Sequence, residues 1–108
     1  MPADPAWPFT RADLPPRNAS WEQIGRRFYR EDLDPDLSRG LHRQALMRVA
    51  EDRQAGRPLT GDIWELRLAL YQIVRAYSRG TLGEDFTSSL RLAHAIIDRM
   101  WEILEAEA

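Results

Sequence analysis

His42 and His94 are the two side chains of this chain best suited to acid–base work near neutral pH. His94 has Asp98 four residues on and Trp101 seven residues on, a spacing that places all three on one face of a helix. Such a pair could act as a base oriented by a carboxylate. It could equally be a boundary histidine held by its i,i+4 neighbour. No nucleophile-bearing motif accompanies it, so the structural role is the expected one. His42 falls on the apolar side of its segment, near Leu46 and Val49, and is expected in a core or an interface rather than on a metal. A di-iron or di-manganese bundle needs inward-facing Glu-x-x-His pairs. Here the residues three before each histidine are Arg39 and Arg91, whose guanidinium groups would repel a metal.

The remaining chemistry is sparse. The chain has no cysteine, which removes disulfides, thiolate catalysis, thiolate zinc sites and iron–sulfur clusters together. Arg79-Gly80-Thr81-Leu82-Gly83 is too short for a phosphate loop and lacks its lysine. Asp32, Asp34 and Asp36 cluster in sequence, but two of them stand where a helix cap wants an acid. Glu65 and Asp98 carry no signal of a shared cleft. The expectation is therefore no catalytic residue, no metal, no cofactor and no small-molecule substrate, and a protein that is not an enzyme.

The elements that would carry these side chains read as helices. Ser20-Trp21-Glu22-Gln23 has the form of a capping box, and Trp21, Ile24 and Phe28 follow at helical spacing, predicting a short first helix over 20–31. Asp34-Pro35-Asp36 combines a cap, a first-turn proline and an acid at the positive helix end. It predicts a second helix over 34–55, with Leu37, Leu41, Ala45 and Val49 as its apolar band, Arg39 and Arg43 facing away, and Gly56 and Pro58 ending it.

Thr60-Gly61-Asp62 opens a third helix that is apolar on two sides. Ile63, Leu66, Leu70, Ile73, Val74 and Tyr77 fill one face, and Trp64, Leu68 and Tyr71, interleaved with Arg67 and Arg75, fill a second. A helix apolar nearly all round is buried on more than one side, so it is expected at the centre. The fourth helix, capped by Asp85 or Thr87, has Phe86, Leu90, Ala93, Ile97, Met100, Trp101 and Leu104 on its core face. It ends in Glu102, Glu105 and Glu107, acids set against the negative helix end, a turn expected to fray unless something basic covers it.

Residues 1–19 hold five of the seven prolines. Proline fixes φ, removes a donor and pushes its predecessor away from helix, so this stretch reads as an extended arm. Trp7, Phe9 and Leu14 on it are costly to leave in water, and the arm must fold back or dock elsewhere. The expected fold is all-α: a bundle of three long helices and one short one over 20–108, preceded by a proline-rich arm over 1–19. At 12.5 kDa, a chain of this size buries roughly two-thirds of its extended surface, enough for one modest core.

Charge is uneven. Residues 1–32 carry five Arg and five acids, residues 33–80 eight and six, and residues 81–108 two and six. A sequence pI of 5.7 argues against nucleic-acid binding by overall charge. No apolar run is long enough to span a membrane and no signal-peptide pattern opens the chain, so no membrane association and a cytoplasmic location are expected. Arginine bias and small size suit a bacterial protein and a phage protein alike.

Two surfaces remain. Trp64, Leu68, Tyr71 and Arg75, together with Trp7 and Phe9 of the arm, have the Trp/Tyr/Arg composition of protein–protein hot spots. They predict a non-catalytic accessory or assembly subunit that docks on a larger protein complex or self-associates. Within the monomer, helix one and the arm could instead cover this band. The alternative is a nucleic-acid-associated oligomer, of DNA-packaging or regulatory type, whose symmetry multiplies a patch of Arg26, Arg27, Arg30, Arg39 and Arg43.

Overall fold

The computed structural model describes residues 14–28 and 39–107. Four α-helices, and no strand among the described residues, make up the fold: α1 (Trp21–Phe28), α2 (Arg39–Gln54), α3 (Ile63–Ser78) and α4 (Phe86–Glu107). A 3-10 turn over Gly83–Asp85 leads into α4. The all-α reading holds.

Helix ends follow the local chemistry of the sequence. The Ser20 amide donates to Gln23 Oε1 at 2.8 Å and the Gln23 amide to Ser20 Oγ at 3.3 Å, the reciprocal pair of a capping box. Asp62 caps α3 by accepting from the Glu65 amide at 2.9 Å. At the end of α2, Gly56 adopts φ +69°. The Arg57 amide reaches back to the Asp52 carbonyl and the Gly56 amide to that of Arg53, which is a Schellman closure. Gly80, also at φ +69°, closes α3 the same way through Thr81 to Ala76 and Gly80 to Tyr77. Only a residue without Cβ takes that left-handed turn without strain. The Asp34-Pro35-Asp36 start signal and residues 29–31 of the expected first helix lie outside the described residues. Of the two expected caps of α4, Thr87 needs correction, since it lies inside the helix, one residue past its start, while Asp85 ends the 3-10 turn and directly precedes Phe86.

α3 is the central element, with α1, α2 and α4 all packed on it. Leu66, Ala69, Leu70 and Val74 are fully enclosed, together with Ile96, Ile97 and Met100 of α4 and Ile24 of α1. The buried stripe of α2 differs from the expected band. His42, Ala45, Val49 and Asp52 point inward, whereas Leu41 is 48% exposed. The periodicity of a helix with few large apolar residues leaves its rotation to its neighbours, and α3 is met by the stripe that starts at His42. Phe86, expected on the core face of α4, is 45% exposed, yet its ring lies 5.6 Å from that of Trp21 and 5.8 Å from that of Tyr77. Trp21 and Tyr77 stack at 4.7 Å, tying α1 to α3.

Asp52 organises the turn between α2 and α3. Its Oδ2 accepts from the Thr60 amide at 2.9 Å and from the Thr60 hydroxyl at 2.8 Å, and its Oδ1 meets Arg57 at 3.1 Å. The Thr60 amide, then its hydroxyl, hold the Asp52 carboxyl below its ordinary pKa, with Arg57 and Arg48 adding to this and burial opposing it. A depressed folded-state pKa stabilises the fold above the unfolded value and is lost as the pH falls through the folded one. Asp52→Ala is expected to melt at a lower temperature than the natural chain at neutral pH. The gap should stay constant down to about pH 4 and close below it. A gap that persists unchanged into strong acid would mean that the carboxylate form contributes nothing.

Candidate interaction surfaces

Residues 14–19 lie along α4, and four side chains of that helix hold them. The Trp101 indole donates from Nε1 to the Pro15 carbonyl at 2.8 Å. His94 Nε2 bonds the Ala19 carbonyl at 2.7 Å. Arg17 reaches Asp98 at 3.4 Å and Glu105 at 2.6 Å. At 100° per residue, positions 94, 98, 101 and 105 fall within an arc of about 60°, one stripe along the helix. The segment runs antiparallel to α4, because Pro15 pairs with Trp101 and Ala19 with His94, further back along the helix. Leu14, Pro15 and Ala19 are buried in the contact. A turn closed by the Ala19 amide on the Pro16 carbonyl, 3.1 Å, shortens the strap to the length of the stripe.

His94 and Asp98 each bond to the strap. Their expected i,i+4 link is replaced by separate bonds to the strap, His94 to a backbone carbonyl and Asp98 to Arg17. A carbonyl only accepts, so His94 Nε2 carries the proton and is a donor there. Arg17 also supplies the basic cover that the acidic end of α4 requires, through Glu105. The stripe itself is visible in the sequence. Its partners are not, because they lie 75 to 88 residues away. His94→Ala is expected to cost about 1–2 kcal/mol in urea unfolding, leaving the Ala19 carbonyl without its donor. Unchanged stability would mean that the bond does not form in solution.

The aromatic band of α3 is divided by the fold. Leu68 and Tyr71 are 3% and 0% exposed, so neither is available to a partner in the folded monomer. α2 takes part in covering them: the His42 ring packs on Tyr71 at 5.3 Å, and Ala45 lines the same α2–α3 groove as Leu68. His42 is thereby a core histidine, as its position on the apolar side implied. Trp64 and Arg75 stay partly exposed. Trp64 borders a groove of about 150 Å³ between α2 and α3, beside Leu41 and under an Arg48–Glu65 ion pair. Arg67, which the sequence marks only as a break in this band, is buried, its guanidinium 4.6 Å over the Trp64 ring. Trp7 and Phe9 lie outside the described residues. So do Arg30 and the side chains of Arg26, Arg27 and Arg39; Arg43 is described and exposed.

A second, larger cleft of about 420 Å³ opens between the end of α2 and α4, with Arg53, Arg57 and Arg99 in its walls. Among the described residues no group of three or more His, Asp or Glu side chains could hold a metal ion, and no helix is long and apolar enough to cross a membrane. Family models, curated proteins and solved structures offer this chain no match.

Proposed function

We propose that this chain is a non-catalytic interaction protein, a small accessory or assembly subunit that docks on a larger protein complex or self-associates. The observation that carries the reading is the strap. The one histidine–carboxylate pair with catalytic spacing is engaged in tethering residues 14–19 to α4. Immediately upstream of that tether the sequence carries Trp7-Pro8-Phe9 on a proline-rich stretch, large apolar side chains beside an anchored root. Exposed Leu41, which lines the α2–α3 groove together with the partly exposed Trp64, supports the same reading from another element.

The test is the absolute mass in solution, by light scattering on a sizing column, with affinity capture from the native source. Both are run on the full chain and on Trp7→Ala/Phe9→Ala. An oligomer that falls to monomer in the double variant, or a partner that the full chain retains and the variant loses, is the expected result. A monomer that retains nothing in either form would overturn the reading. Affinity for generic DNA that falls steeply with salt and is abolished by Arg26/Arg27/Arg43→Ala would replace it with the nucleic-acid alternative.

A further inference from the structure

We propose that the α2–α3 groove at Trp64 receives residues 2–8 of a second copy of this chain, an inference that rests on the interaction reading and names both sides of one contact. Prolines stand at positions 2, 5 and 8, a spacing of three. A polyproline II segment has three residues per turn, so prolines at that spacing would line one edge of it. Proline has no N–H, and such an edge is not recognised by strand pairing. It is recognised by an aromatic ring to stack on, apolar walls, and donors for its solvated carbonyls.

The groove supplies each of these. Trp64 is partly exposed at its mouth, and the Arg67 guanidinium, 4.6 Å from the ring centre, holds the indole in place. Leu41, Ala45 and Leu68 form apolar wall, and the exposed Gln44 amide stands beside them as a donor. From Leu41 to Arg48 the α2 wall is about 10 Å long, and one Pro-x-x-Pro unit covers about 9 Å. The occupant comes from a second copy because of where the strap delivers the chain. Residues 14–19 run antiparallel to α4, so the chain leaves Leu14 toward the C-terminal end of that helix. α3 and α4, packed on each other and joined by a short turn, are antiparallel neighbours, which sets the groove at residues 64–68 level with the strap rather than ahead of it. A chain leaving in this direction reaches a neighbouring molecule directly, and reaches its own α2–α3 face only by reversing within residues 9–13. Each copy carries one arm and one groove, so two copies can exchange them reciprocally and close the assembly.

The experiment measures the mass of the full chain by light scattering over a series of concentrations, beside Leu41→Glu, Pro5→Ala/Pro8→Ala and the control Met47→Glu. Leu41 and Met47 are both exposed on α2, and of the two Leu41 lines the groove. The full chain should dimerise. Leu41→Glu and the proline variant should each raise the dimer dissociation constant about tenfold. Met47→Glu should leave it within a factor of about two. In an equal mixture, Leu41→Glu contributes an intact arm and the proline variant an intact groove, and the mixture should recover part of the dimer that neither forms alone. Matching melting curves would verify that the variants fold. A monomeric full chain, equal effects of Leu41→Glu and Met47→Glu, or a mixture no more associated than its components would each overturn the proposal. Any of these alongside an oligomer or a captured partner that is lost in Trp7→Ala/Phe9→Ala would leave the interaction reading standing and remove only this site.

Discussion

Tyr71→Ala is expected to destabilise the chain by about 3–5 kcal/mol, a large part of the stability of a domain this size. Its ring is fully enclosed between α2 and α3 and packs on His42. Truncation would leave a cavity that the two helices cannot collapse around without losing their own contact. Urea unfolding followed by circular dichroism measures the loss. If the alanine variant does not fold, Tyr71→Phe, which keeps the ring, gives the graded readout and should fold. The comparison that matters is Trp64→Ala. Trp64 is partly exposed at the mouth of the α2–α3 groove, and its replacement should cost clearly less. Equal losses at the two positions would contradict the division of this band into a covered half and an open half. The same pair of variants separates fold from function, since only Trp64 can touch a partner while the chain stays folded.

The second large effect concerns the strap. A chain lacking residues 1–19 should be less stable than one lacking residues 1–13 by about 2–4 kcal/mol. The difference between the two is the docking of 14–19: burial of Leu14, Pro15 and Ala19, two hydrogen bonds from Trp101 and His94, and the Arg17 contacts with Asp98 and Glu105. The Arg17 pairs contribute little, because both partners are about half exposed and screened by water. Pro15 and Pro16 matter more than their contacts indicate. With φ already fixed, the segment loses less conformational freedom when it docks. Thermal melts of the two truncations read the difference directly. Equal stability would mean that the strap is not seated on α4 in solution. A shortened chain for binding work should therefore begin at residue 14, since a cut at residue 20 removes part of the fold together with the arm.

The fold class and several helix ends were legible in the sequence because their causes are local. The Ser20–Gln23 box, the Asp62 cap and the glycine closures at Gly56 and Gly80 each join atoms no more than five residues apart, so residue type and spacing carry the whole instruction. The central place of α3 was legible for a related reason: a helix apolar on two sides needs neighbours on two sides. Which neighbour covers which side was not. α2 presents His42, Ala45, Val49 and Asp52 inward and leaves Leu41 out, and that rotation buries Leu68 and Tyr71, which by composition alone resemble a partner surface. The face of His94, Asp98 and Trp101 reads as an oriented base or a boundary histidine while only its own helix is in view. Its purpose lies in residues 14–19, brought against it by the collapse of the whole chain. Bonds between groups that far apart in sequence leave no periodicity to read, and only the packing of α1, α3 and α4 decides that they meet.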